Sequence, residues 1–499
     1  MKNLFNSIKL QKPKSNYFDL SHDVKLTAKM GNLVPVLAMD VVPGDKFDIG
    51  CESLLRFAPL TAPVMHRFDV TVHYFFVPNR ILWDNWEKFI TSDTTIVPPF
   101  FNYANGFFSS DDEKFIDYMG VPPVPLGGSS SPISALPFAA YQCCYNEYYR
   151  DQNLILPVDY KLTDGSNLSN VELFKMRKRA WEHDYFTSSL PFAQKGTPVD
   201  IPLGSISGDA PVFRNQVPDT LITAAAGGDL DIQGDPTTSP GVNPDALYAK
   251  LEDLDVDPTT INDLRRAYAL QRFLEKAARG GTRYIESILA NFGVNSPDAR
   301  LQRPEYITGV KSPVVISEIL NTTGEDGGLP QGNMAGHAVS INTGRNGNYY
   351  ATEHGWIIGI MSVLPRTNYQ QGIPRAFLRN DRLDYFWPDF AHIGEQEVQV
   401  QELYAYTPNA TNTFGYNPRY SEYKYMSGRT AGDFRNTLDY WTCTRIFATE
   451  PTLSQEFVEC YPEDAERIFA VQDGTDYLYV HLYHKIGARR LMPVFGTPI

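Results

Sequence analysis

Along residues 68–76, Phe68, Val70, Val72, Tyr74 and Phe76 alternate with Asp69, Thr71 and His73. Successive side chains of a strand point to opposite faces, so this run predicts a β-strand with one apolar face. Strand-like text begins at Leu33 and returns after Pro304 at 314–320, 355–364, 397–406, 441–448 and 477–484. In the 397–406 run, Glu397, Gln399 and Gln401 stand opposite Val398 and Val400, as expected of a strand with one wet face.

Helical spacing interrupts this text three times. Ser169 and Glu172 stand as in a capping box, predicting a helix over about 170–182 with Leu173, Phe174, Arg177 and Trp181 on one side. A second helix starts near Thr260, carries Ile261, Leu264, Tyr268, Gln271 and Leu274 at helical spacing, and stops at Gly280-Gly281. A third covers 283–291, ahead of Gly293. Roughly eight strands with long excursions between them fit an antiparallel jelly roll, a mainly β sandwich with loop and helical insertions, better than a meander.

Five regions follow: a basic arm, 1–30; the first part of the jelly roll, 31–202; an acidic Gly/Pro-rich surface insertion, 203–257; a helical insertion, 258–304; and the second part of the jelly roll with a C-terminal arm, 305–499. Nothing in 1–30 supplies a core element, so the arm needs a partner to lie on. No internal repeat of solenoid length is visible.

Composition sharpens this picture. The 29 Tyr, 29 Phe, 36 Pro and 36 Gly suit short strands and irregular connections rather than a helical bundle. A net charge of −14 argues against a surface that is wholly a nucleic-acid footprint. Residues 1–30 nevertheless hold six lysines against two acids, whereas residues 227–257, including Asp229, Asp231, Asp235, Asp253 and Asp255, hold eight acids against Lys250. Five cysteines do not suggest a disulfide framework and read as buried thiols, Cys143-Cys144 within a probable helix. With neither a signal-like core nor an apolar run of about 20 residues, a soluble product made in the cytoplasm is expected.

Chemistry-bearing motifs are sparse. There is no P-loop, nucleophile elbow, zincin pair or double CxxC, and the text names no catalytic residue, cofactor or metal ligand. Asp229 and Asp231 begin like a calcium loop, but Gln233 and Pro240 occupy ligand positions, leaving a solvated loop. His481 and His484 are three apart on a strand, hence on opposite faces and ill placed to share a metal. Glu353, Glu395, Glu397 and Glu402 offer carboxylates for a β-sandwich carbohydrate-active enzyme or carbohydrate-binding module, although solvated strand faces explain them more cheaply.

Three segments have the chemistry of contact surfaces. Lys2, Lys9, Lys12 and Lys14 of the arm are candidates for DNA. The run from Lys175 to Arg179 reads as a phosphate contact or as a solvated or intersubunit face. In FGYNPRYSEYKYMSGR, Tyr416, Arg419, Tyr420, Tyr423 and Tyr425 suit either an intersubunit contact or base stacking.

The run RGGTRYIESILANFGVNSPDARLQRPEYITG, residues 279–309, resembles the major capsid proteins of the Microviridae, the small icosahedral single-stranded-DNA phages. FDVTVHYFFVPNRILWDNWEKFI, RKRAWEHDYFTSSLPFAQKG, HGWIIGIMSVLPRTNYQQGIPR, FGYNPRYSEYKY and RRLMPVFGTPI resemble the same family in the same order, with only about 203–257 unmatched. The resemblance implies a viral jelly roll and a structural, non-enzymatic subunit of a closed shell that encloses single-stranded DNA. It also implies partners: further copies of the chain, a small basic DNA-binding protein, a scaffolding protein, a minor capsid or pilot protein, and a host-surface receptor, but no membrane. The expected location is the virion, assembled in the host bacterial cytoplasm. In the gokushovirus-like branch an insertion forms an outward protrusion, which makes 203–257 the expected exterior feature. A monomeric phage attachment protein would share the aromatic surface without assembling.

Overall fold

The computed structural model describes residues 14–495 except 92–94, 104–106, 124–129, 323–330, 345 and 472, and between 201 and 259 it describes only the backbone of five short strands. The chain divides into two units, Met1–Ala193 with Ala278–Ile499, and Gln194–Ala277.

Eleven strands build the two sheets of the larger unit: β1 (Asn16–Asp19), β2 (His22–Ala28), β3 (Val34–Val41), β4 (Lys46–Phe57), β5 (Phe68–Pro78), β6 (Glu305–Pro313), β7 (Val315–Leu320), β8 (Met334–Asn342), β9 (Gly347–Tyr350), β10 (Gly355–Pro365) and β11 (Leu478–Arg490). In the first sheet β1 and β2 lie in line along β11, which pairs with β4; β4 pairs with β8 and β9, and β8 with the edge strand β7. The second sheet runs β6-β5-β10-β3, and every pairing in both sheets is antiparallel.

The sheets share one core, to which β5 gives Phe68, Val70, Val72, Tyr74 and Phe76 and β11 gives Leu478, Val480, Leu482 and Ile486. The alternating residues therefore do face a common interior. Phe75 and Val77 on the other face of β5, with Ile358 and Ile360 of β10, are buried in a second apolar layer around the helix Leu136–Cys144. That end of β5 has two apolar faces rather than one.

Several sequence expectations change. The segment read as a bare arm, 1–30, contains β1 and β2 from Asn16 onward, and β2 pairs with β11 from His22↔His484 to Ala28↔Leu478. Val24, Leu26 and Ala28 turn toward the core while charged neighbours turn outward, a strand pattern masked by the lysine count. The helix expected at 170–182 is a 3-10 turn, Val171–Phe174, followed by extended chain. There the amides and carbonyls bond to neighbouring segments: Leu33 N to Arg177 O (2.8 Å), Arg179 N to Gly31 O (2.7 Å) and Cys460 N to Arg179 O (2.9 Å). The strand expected at 397–406 is Glu395–Gln399 followed by a helical turn, Val400–Leu403, because Glu402 accepts from the Gln399 amide at 2.9 Å. No strand forms at 441–448, where Tyr369↔Arg445 is a single bridge.

Two helices form close to expectation, Ile261–Gly280 and Tyr284–Phe292, the latter ended by Gly293 at φ 69°. The smaller unit contains antiparallel pairs joining Val212–Arg214 to Thr220–Leu221 and Leu247–Ala249, and Ile206–Ser207 to Asp255–Val256. All five cysteines are free and buried, Cys143 and Cys144 within the helix Leu136–Cys144.

Candidate intersubunit and nucleic-acid surfaces

The aromatic block is built on a two-stranded ribbon, Thr413–Pro418 against Glu395–Gln399. Tyr416 is tied through its backbone to Leu190, N to O at 2.8 Å and back at 2.9 Å. After the ribbon the chain reverses at Tyr420, in the left-handed region at φ 65°, which buries its ring against Phe386 (4.9 Å between centroids) and Tyr423 (6.0 Å). Its hydroxyl accepts from Trp387 N at 3.3 Å, while Tyr423 Oη accepts from Phe386 N at 3.1 Å. Tyr420 is thus an internal support, and Tyr423 and Tyr425 are the exposed rings.

Arginines stiffen the surface. Arg419 lies 5.0 Å from the Tyr420 ring and Arg379 lies 4.2 Å from that of Tyr423. Arg379 also meets Glu422 at 3.6 Å, Arg279 pairs with Glu395, and Arg375 meets Glu402 at 2.9 Å. Glu402 also accepts from Tyr185 Oη at 2.9 Å, and burial is the largest influence on its carboxyl, raising its pKa. These carboxylates answer the three guanidiniums that flank the block, while Arg419, the arginine within it, lies over the rings of Tyr420 and Phe390.

Sequence reading missed the other half of the surface. Phe377 (76% exposed), Leu383, Tyr385, Phe386 and Trp387 project from a run of 3-10 turns, Arg375–Phe377, Arg382–Asp384 and Pro388–Phe390, beside Tyr423, Tyr425 and Met426 (93% exposed). The available signal was aromatic density without period in RAFLRNDRLDYFWPDF. A cleft of about 810 Å³ lined by Phe377, Tyr425 and Met426, and by Arg375 and Glu402, opens at this patch. Rings, arginines and exposed apolar atoms are concentrated here as they are at contact surfaces.

Residues 7–499 match the family described as capsid protein (F protein). The chain belongs to that capsid protein family. The capsid protein VP1 of Chlamydia phage 1 is 34% identical, with 100% of this chain and 98% of the relative covered. That of Bdellovibrio phage phiMH2K is 34% identical over 89% and 87%, and that of Spiroplasma virus 4 is 30% identical over 96% and 94%. The resemblance to Microviridae capsid proteins of the gokushovirus-like branch is borne out.

Other candidate residues of this capsid protein fall in varied places. Lys14 is described and exposed, two positions before β1, whereas Lys2, Lys9 and Lys12 lie outside the described residues. So do Asp229, Asp231, Asp235 and Asp253, while Asp255 is described only as backbone opposite Ser207. The basic run 175–179 is held by local partners: Lys175 by Glu172 at 2.5 Å, Arg177 by Gln142 at 2.7 Å, Lys178 over the Tyr461 ring at 4.8 Å, and Arg179 by Ser362 at 2.6 Å. His481 meets Asp23 at 2.9 Å on the outer face and His484 is buried on the other, as the strand spacing required.

The carboxylates considered for sugar chemistry are engaged elsewhere. Glu353 meets Arg80 at 3.1 Å, Glu397 accepts from Thr413 at 2.6 Å, and Glu395 and Glu402 hold the arginines described above. Among the described residues no group of three metal-ligating side chains converges, and no helix is long and apolar enough to cross a membrane.

Proposed function

We propose that this capsid protein is the repeating subunit of a closed icosahedral shell around a single-stranded-DNA genome, with no catalytic step. The observation that carries the assembly reading is the aromatic surface around Phe377, Trp387, Tyr423 and Tyr425, whose apolar atoms are exposed while Arg375, Arg379 and Arg279 are already paired. Exposed rings beside paired arginines suit burial against protein, so of Tyr416, Arg419, Tyr420, Tyr423 and Tyr425 the rings of Tyr423 and Tyr425 act at an intersubunit contact rather than as a base-stacking platform, with Tyr420 and Arg419 supporting them from beneath.

The fold we assign is an eight-stranded jelly roll, with β2-β11-β4-β8 facing β3-β10-β5-β6. Supporting it is the path of the chain, which changes sheet between β2 and β3, β3 and β4, β4 and β5, β6 and β8, β8 and β10, and β10 and β11. β1, β7 and β9 are additions to that frame.

In this reading Lys2, Lys9, Lys12 and Lys14 face the interior DNA, and the acidic insertion 203–257 faces outward toward a host-surface receptor, away from packed phosphate. The net charge of −14 leaves phosphate to be balanced by a small basic DNA-binding protein; a scaffolding protein and a minor capsid or pilot protein complete the set, with assembly in the host cytoplasm. Sedimentation with electron microscopy and nuclease protection tests the proposal. Uniform particles protecting single-stranded DNA are expected; a chain that stays monomeric with its cognate partner proteins would overturn it.

A further inference from the structure

β7 is a free edge. In the first sheet it pairs on one side with β8, from Val315↔Val339 to Leu320↔Met334 without a register shift, and among the described residues nothing pairs with its other side. Its sequence, VISEIL, has one charge, Glu318, and no Pro or Lys. Val315 is 65% exposed, Ile319 54% and Leu320 46%, and Ile341 on β8 is 70% exposed. Proteins that stay single blunt such edges with lysine, proline or a bulge, because unpaired backbone amides and carbonyls template another strand.

Of the two registers that pair the most residues of the strand, one is self-complementary. A twofold axis perpendicular to a sheet makes two copies of a strand antiparallel and keeps each side chain on its own face, so opposed residues must have the same parity. An axis through Ser317 sets Val315 against Ile319 of the second copy, Ser317 against Ser317 and Glu318 against Ile316. An axis through Glu318 would instead oppose two carboxylates with Cβ atoms about 5 Å apart, a destabilising pair. Phosphate is a poor occupant, since the strand offers an acid and no base.

We propose, resting on the shell reading, that β7 joins the β7 of a second copy across a twofold axis through Ser317, continuing the first sheet from one subunit into the next. The self-complementary register favours a second copy over a foreign strand.

Cysteine cross-linking tests this on particles of the full-length chain, because all five native thiols are buried. Ser317→Cys particles should give a covalent dimer on mild oxidation. Val315→Cys alone should give at least about ten-fold less, with dimer restored when Val315→Cys and Ile319→Cys copies are mixed. Particles whose Ser317→Cys chains stay monomeric, or cross-link to another polypeptide, overturn the pairing and leave the shell reading standing. If Ser317→Cys itself fails to assemble, hydrogen exchange on wild-type particles decides: residues 315–320 must be protected relative to the free subunit, and unchanged exchange overturns the pairing. A wild-type chain that never assembles removes both.

Discussion

His484 shows how completely some polar residues are committed inside the sandwich. It is 0% exposed, with Nδ1 2.8 Å from Tyr74 Oη and Nε2 3.1 Å from Val36 O. A carbonyl only accepts, so Nε2 carries the proton and Nδ1 accepts from the tyrosine; the ring is neutral. Burial pushes it down to about 4, and burial does the same to His66 and His73. A depressed histidine contributes stability that is present above its unfolded value of 6.5 and lost as pH falls toward 4, about 3 kcal/mol for each ring. The urea midpoint of free subunits should therefore fall steeply between pH 6.5 and 4.5, and His484→Gln should make that slope shallower. At Gly31 the backbone is left-handed at φ 79° and an added Cβ would lie 2.1 Å from Cys460 O. Gly31→Ala should cost at least about 3 kcal/mol, read by thermal denaturation.

At the level of elements, β5 joins two apolar layers, with Phe76 in the sandwich core and Phe75 beneath the helix Leu136–Cys144. Phe75→Ala and Phe76→Ala should each destabilise by about 3–5 kcal/mol in chemical denaturation, whereas a strand wet on one face would show a loss only for Phe76. β5, β10 and β11 were legible because long strands repeat their pattern enough times to be read. The capping-box spacing at Ser169 and Glu172 was misleading because the amides that a helix would use bond to Gly31 and Val458 instead, a tertiary choice no local pattern carries. The Tyr416–Tyr425 half of the aromatic surface was visible in the composition of its segment. Its Phe377–Trp387 half was not, since consecutive 3-10 turns leave no hydrophobic period.

For the whole molecule, association depends on which apolar atoms stay uncovered on one copy. Phe377→Asp combined with Trp387→Asp changes only exposed positions, so the free subunit should keep its melting temperature within about 2 °C while particle yield in sedimentation falls at least about ten-fold. Replacing residues 227–257 by a short Gly-Ser linker should leave particle yield unchanged and alter attachment to cells, which a binding assay on intact hosts would read.

The path of β11 has a further consequence for how the protein is made. It is the central partner of β1, β2 and β4, and its neighbourhood joins residues as far apart as 476 positions, as in the bond from Asn16 Nδ2 to Met492 O. During synthesis every partner of β11 emerges from the ribosome long before β11 itself, so the first sheet stays open until residues 478–490 have been translated. The β4-β8-β7 half of the sheet can therefore pair first, and the docking of β1 and β2 waits for β11, so the two sides of one sheet are completed at different times.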